Sequence, residues 1–405
     1  MSRMNRRNFL QLAGVAPLGM ALEFGNYRSR KAAAAPERLK DPWLDINLKH
    51  MAWNVRQLRK QANNRPIMAV IKANAYGHGL VPVARYLQRQ NIHALAVGKV
   101  QEAIKLREYG IRLPILNFGP FSRENANELV RRSISQSVYT EEFRYLIEAA
   151  KRVGRKASVH VKIDTGLGRV GVPHDQAIPL LEAIARHPEI RIEGIFTTFS
   201  EDEEFDQIQL QRFHEVCRQA KKRGIAYGKR HAASSAGILS FPESHLDMVR
   251  PGITLYGHYP SEKELKRRRI DLKPVMSLKA RVSYVKTLRP GDSVAYHRAF
   301  IASQETRVAT IPVGYADGMP YQIAGKAGVL IRGHRFPTIA LITANHLTAD
   351  VSSAPTPIRI DDEVVLIGRQ GEQEITAEEV ARLAGTSVYK ILIWMNPELP
   401  RVYHE

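Results

Sequence analysis

Eight short apolar runs recur from residue 66 onward, centred near Val70, Ala96, Ile115, Val138, Val161, Ile195, His231 and Leu255. Longer stretches with helical periodicity separate them, at 81–90, 102–109, 141–153, 176–186 and 205–223. Short runs without polar alternation are strands buried on both faces. Such strands alternating with helices build a parallel sheet covered by helices, and eight of them over roughly 200 residues predict a closed α/β barrel. The expected fold class is therefore α/β, a (β/α)8 TIM-like barrel over residues 41–273. Residues 43–61 read as a short strand and a leading helix before the first barrel strand.

After Lys273 the texture changes to short alternating segments at 276–288, 307–313, 328–331 and 363–367. Pro290-Gly291 and Ala316-Asp317-Gly318 punctuate them, which predicts a C-terminal mostly-β domain over 274–405 with one helix near 377–384. The 405 residues, 44% of them hydrophobic, suffice for two such cores. One cysteine, Cys217, excludes an intrachain disulfide.

Residues 1–35 read as a targeting segment. Arg6-Arg7 precedes an apolar stretch running to about Leu22, and Ala32–Ala35 offer small residues for cleavage before Pro36. The arginine pair resembles a bacterial twin-arginine export signal. The expected location is the periplasm, with the cytoplasm as the alternative, and no stable membrane insertion after export. The formal charge of +20 is dispersed apart from the run Lys263-Glu264-Leu265-Lys266-Arg267-Arg268-Arg269. No nucleic-acid motif accompanies it, so a nucleic-acid partner is not expected.

Candidate chemistry starts at the end of the first run. Lys72 follows Ile71 and opens the loop Ala73-Asn74-Ala75-Tyr76-Gly77-His78-Gly79. A lysine ending a buried strand is costly unless its charge is neutralised or used. Burial lowers its pKa and leaves a neutral amine that can condense with an aldehyde. The plain reading is a structural lysine whose stem packs while its ammonium reaches water. In such barrels the site lies at the C-terminal strand ends, with phosphate often held after strands seven and eight. Here those loops are Ala232-Ala233-Ser234-Ser235-Ala236-Gly237 and Val249-Arg250-Pro251-Gly252-Ile253. Small residues let backbone N–H groups approach a phosphate, and Ser235 adds a hydroxyl. A phosphorylated aldehyde beside an imine-forming lysine points to pyridoxal 5'-phosphate (PLP).

Seven ordered stretches, 70–79, 161–171, 231–236, 249–257, 294–296, 311–318 and 388–392, resemble the alanine racemase family of fold-type III PLP enzymes. The resemblance implies a homodimeric racemase with shared sites, acting on small amino acids by two bases. It implies that Lys72 bonds the cofactor and is one base, and that Tyr296, from a partner subunit, is the opposing base. It places Arg250 against the pyridine nitrogen, and Tyr76, Ser235, Gly252, Ile253 and Tyr389 around the phosphate, with His231 among the cofactor-binding positions. Arg169 matches the arginine that contacts the cofactor hydroxyl and the substrate carboxylate. Tyr315 matches a tyrosine at the substrate entrance, and Lys162 a lysine carbamylated in some relatives. No metal is expected.

Three departures from the family pattern stand out, two at single residues and one over a segment. Thr198 replaces the usual histidine beside the cofactor ring, and Ser234 replaces the usual asparagine. Thr343-Ala344-Asn345-His346 stands where a small residue, methionine, aspartate and glutamine are usual. Ala344 and Asn345 would line the substrate side, so these changes predict a wider pocket and substrates larger than alanine. The competing readings are a PLP-dependent D-amino-acid aldolase or decarboxylase on the same scaffold, and a non-catalytic PLP-binding envelope protein.

Overall fold

The computed structural model describes residues 41–405. The targeting segment read at 1–35 lies outside the described residues. Seven parallel strands follow one another in register: Met68–Val70, Ala94–Val97, Ile115–Asn117, Ser135–Val138, Ala157–Asp164, Ile190–Phe196 and Lys229–His231. The first five are almost wholly buried, because helices cover their outer face and side chains fill the inner one. Helices Leu80–Gln88, Val100–Glu108, Arg123–Arg131, Phe143–Val153, Ala177–Ala185 and Glu203–Lys222 lie between them. Each turns an apolar stripe inward, as Leu80, Val83, Ala84 and Leu87 do. Glu203–Lys222 is capped by Asp202, which accepts from Phe205 N, with acidic residues in its first turn and Lys221 and Lys222 in its last.

The eighth strand corrects the sequence reading. The run near Leu255 is a buried 3-10 turn, Ile253–Tyr256. The closing position is taken by the chain around Val249, whose carbonyl accepts from Met68 N at 2.9 Å, and by Pro251, which accepts from Val70 N at 2.9 Å. Pro251 has no N–H to continue the ladder, and the apolar run beyond it is equally buried as a turn.

The second half forms a ten-stranded sheet in the order Tyr284–Leu288, Thr306–Ile311, Leu347–Asp350, His334–Ile339, Gly328–Ile331, Glu363–Gln370, Met276–Arg281, Trp43–Asn47, Arg401–His404, with Gln373–Ile375 beside Glu363–Gln370. The run 276–288 is thus two strands, broken at Val282-Ser283. Trp43–Asn47 precedes the barrel in sequence but joins this sheet, antiparallel to Met276–Arg281 and parallel to Arg401–His404. Helix Ala377–Leu383 lies where sequence expected it, and a second, unexpected helix, Val388–Ile393, follows. Among the described residues no helix is long and apolar enough to cross a membrane.

Candidate active site

The strand Met68–Val70 delivers Lys72 to the C-terminal mouth of the barrel. The next four residues, Ala73, Asn74, Ala75 and Tyr76, all take left-handed backbone angles, with φ of 54°, 55°, 54° and 52°. Non-glycine residues seldom do this even singly, so a run of four persists only where its surroundings over-determine it. Glu102 supplies much of that restraint. Its carboxylate accepts from the amides of Asn74 at 3.1 Å and Gly98 at 3.0 Å. The Asn74 side chain in turn accepts from Leu80 N at 2.8 Å.

The turn folds Tyr76 back onto Tyr256, ring centroids 4.9 Å apart, and to within 6.1 Å of the Tyr389 ring. Tyr389 comes from the short helix Val388–Ile393. That helix presses against the loop so closely that a Cβ on Gly77, at φ 83°, would collide with the Leu392 carbonyl. Burial pushes the Tyr76 hydroxyl up to about 12 and raises that of Tyr389.

The expectation of a buried Lys72 is corrected. Its side chain is open to a cavity, although protein surrounds much of it. Partial burial, and then the nearby Arg169, lower its pKa, against an opposing pull from Glu102. The strand ends one residue short of the lysine, so the chain bends and frees the amine.

Across the cavity, Ser235 Oγ accepts from Gly252 N at 2.9 Å and pairs with Thr254 Oγ1 at 3.0 Å. A Cβ on Gly252 would lie 2.7 Å from the Tyr76 hydroxyl, so this wall has room only for glycine. Arg250 is buried, with Nη2 donating to the carbonyls of Thr197 at 2.7 Å and Ala232 at 2.9 Å. Its Nη1 donates to His231 Nδ1 at 2.9 Å. Burial pulls the Arg250 guanidinium down to about 9. Lys162 is held down at about 8, by burial first and then by Arg250 and Arg169.

The cavity, about 400 Å³, brings together Lys72, Tyr76, Arg169, Ser235, Arg250, Gly252, Ile253 and Tyr389. Lys162, Thr198 and Ser234 also line it, whereas His231 lies behind Arg250. Glu201 lines it too, as do Phe118 and Tyr139, three residues that carry no distinguishing pattern in the sequence. Glu102 was equally invisible, since on an amphipathic helix it resembles any solvent-facing acid.

Four predicted residues are elsewhere. Tyr296 sits 71% exposed on a turn in which Ala295, His297 and Arg298 all have positive φ. Tyr315 is 53% exposed. Its amide donates to Thr343 O at 3.1 Å, and the next amide, of Ala316, donates to Ala344 O at 2.9 Å, which ties Tyr315 to the segment bearing Ala344 and Asn345. None of these four is among the residues lining the cavity in a single chain.

Profiles of the alanine racemase N-terminal and C-terminal domains match residues 46–260 and 275–403. The chain belongs to the alanine racemase family. It is 37% identical over 373 residues to an alanine racemase of Desulforamulus reducens, covering 90% of this chain and all of that one. It is 39% identical over 355 residues to an alanine racemase of Syntrophobacter fumaroxidans, covering 86% and 94% of the two chains. The solved alanine racemase of Clostridium difficile superposes with a TM-score of 0.85 at 34% identity, over 90% of this chain and 96% of that one. The family is PLP-dependent, and the protein is a PLP-dependent amino-acid racemase with the family's barrel and mostly-β architecture.

Proposed function

We propose that this racemase exchanges the α-proton between Lys72 of one subunit and Tyr296 of a second copy, and that its substrates extend beyond alanine. The observation that carries the reading is the separation within one chain: Lys72 opens into the cavity, while Tyr296 is exposed and apart from it. A second subunit docking that exposed face is the direct way to bring the two groups to opposite sides of one substrate.

The cavity suits PLP. An open amine, a wall fitted to glycine at Gly252 beside the Ser235, Tyr76 and Tyr389 hydroxyls, and a guanidinium at Arg250 match its aldehyde, phosphate and ring nitrogen. When bound, the cofactor supplies an electron-withdrawing ring that acidifies the substrate Cα–H. Arg250 keeps its proton and donates rather than accepts, so it would leave unprotonated a ring nitrogen held against it. Arg169 orients the substrate carboxylate through its fork of donors. Partial burial and then Arg169 lower the Lys72 pKa, which favours the free amine that takes the proton. Tyr296 holds or returns the proton on the other face.

Mixing Lys72→Ala with Tyr296→Phe subunits tests the arrangement. Each variant alone is inactive, and the mixture regains up to about a quarter of wild-type activity, the share of sites with both groups intact in a random dimer. No recovery on mixing refutes shared sites. Broad specificity rests on Ala344, where the family usually carries methionine, and a panel of L-amino acids checks it: activity confined to alanine removes that part. Export rests on Arg6-Arg7. Fractionation of wild type against Arg6→Lys/Arg7→Lys decides it, a cytoplasmic signal for both refuting export.

A further inference from the structure

Behind Arg250 a file of polar side chains crosses the barrel core, and the proton exchange itself makes no use of it. His231, at the end of the seventh strand, places Nε2 2.8 Å from Nδ1 of His160 on the fifth. His160 Nε2 lies 4.0 Å from Oε2 of Glu193, on the sixth strand between them. Glu193 accepts from Ser135 Oγ at 2.6 Å and pairs with Arg191. It borders a separate cleft of about 730 Å³, which is lined by residues from the starts of the strands, such as Met68, Ala94 and Ile190. That cleft is at the barrel mouth opposite Lys72. The file therefore runs from the cofactor side of the barrel to its far end.

The direction of its hydrogen bonds follows from the donors available. A guanidinium has no acceptor, so His231 Nδ1 must accept from Arg250. Burial holds His231 well below the usual histidine range and His160 at about 4, so both rings are neutral. A neutral ring that accepts at Nδ1 carries its proton on Nε2. His231 therefore donates to His160 Nδ1, and His160 in turn carries its proton on Nε2, which faces Glu193 at 4.0 Å, beyond hydrogen-bond length. The arginine sets the tautomer of both rings, and the carboxylate's charge, 4.0 Å from His160 Nε2, favours the same one. Among the described residues no carboxylate hydrogen-bonds Arg250, whose other recorded partners are two backbone carbonyls. This file is its link to an anion.

We propose that Glu193 is a positioning residue for Arg250, its charge polarising His160 and His231 and strengthening the hold of His231 on Nη1. A carboxylate facing a neutral imidazole N–H also makes the ring's other nitrogen a better acceptor, and that gain passes along the pair. Its effect on racemisation rests on the reading that Arg250 faces the cofactor ring nitrogen.

The decisive measurement is ring 15N NMR of the cofactor-free protein labelled at histidine, with His160→Asn and His231→Asn supplying the assignments. Wild type shows both rings as the neutral Nε2–H form. In Glu193→Gln the carboxylate's charge is lost, so the ring 15N shifts of His160, and by less those of His231, move while both rings keep the Nε2–H form and the melting curve stays cooperative. A wild-type ring protonated at Nδ1, or an unmoved His160 in Glu193→Gln, overturns the proposal. Should Glu193→Gln fail to fold, Ser135→Ala loosens the same carboxylate and shifts His160 in the same direction by a smaller amount. The loaded enzyme then separates the two claims. Glu193→Gln shifts the bound-cofactor absorbance and lowers kcat about tenfold with little change in KM, the size of effect common for remote partners of a working imidazole. Glu193→Asp recovers part of both. A shift at both rings with unaltered absorbance and kcat upholds the link from Glu193 to Arg250 and refutes the placement of Arg250 on the ring.

Discussion

Replacing Glu102 by alanine probes how the protein keeps Lys72 and Tyr76 in place. Four consecutive left-handed residues cost about 4–8 kcal/mol, taking ~1–2 kcal/mol for each non-glycine residue. Against this, Glu102 makes two hydrogen bonds to backbone amides, at 3.1 and 3.0 Å, each contributing about 1.5–3 kcal/mol because the acceptor is a carboxylate. The clamp therefore offsets most of the strain, and the turn is left close to balance. In Glu102→Ala the turn relaxes towards ordinary backbone angles, Tyr76 leaves its stack on Tyr256, and the Lys72 amine shifts with it. If about 1.5–3 kcal/mol of this loss falls on cofactor binding, affinity drops by roughly 10- to 100-fold. Glu102→Gln, which keeps one acceptor oxygen, falls between the two. Titrating PLP into the cofactor-free proteins and following the absorbance of the lysine adduct gives all three constants. Glu102→Ala with wild-type affinity, in a protein that still melts cooperatively, refutes the balance drawn here between strain and clamp.

Two further outcomes follow from the geometry around the cavity. Gly252→Ala forces a Cβ to within 2.7 Å of the Tyr76 hydroxyl, so PLP affinity falls about tenfold or more, and adding Tyr76→Phe returns part of it; a single variant that binds normally in the same titration refutes the close approach. Lys162, held at about 8 when folded against ~10.4 unfolded, binds its proton less tightly in the folded state, so its penalty is full below about pH 8 and fades as pH rises towards 10.4. Lys162→Met is therefore more stable than wild type by up to about 3 kcal/mol in urea at pH 7, with the difference shrinking by pH 10; an equal difference at both pH values refutes the electrostatic cause.

The barrel was legible because its strands are apolar on both faces and its helices keep a 3.6-residue stripe, signals that local sequence carries by itself. The eighth strand was misplaced because Ile253–Tyr256 is as apolar as a strand, and only the missing N–H of Pro251 and the hydrogen bonds to Met68 and Val70 reveal the true closing segment. Helix Val388–Ile393 was missed because six residues are too few to show a period, although Tyr389 on it stood out by resemblance. Lys72 illustrates the opposite error. The apolar run was real, but the bend after Val70 that opens the amine to the cavity depends on Glu102, a residue whose partners are set by tertiary contact. His160 and Glu193 left no trace either, since a polar residue facing inward in a barrel strand looks the same in sequence as one facing out.

The strand Trp43–Asn47 has a consequence for how the molecule is made. It lies hydrogen-bonded between Met276–Arg281 and Arg401–His404, with Leu44 N on Pro400 O at 2.9 Å. During synthesis this segment emerges before any barrel strand, yet both of its neighbours leave the ribosome only after the barrel has been made. The barrel can close as the chain is extruded, while Trp43–Asn47 waits with both edges unpaired. Chaperone dependence should therefore concentrate on this one early strand, and any nascent chain stopped short of residue 401 presents it as an open edge to its neighbours.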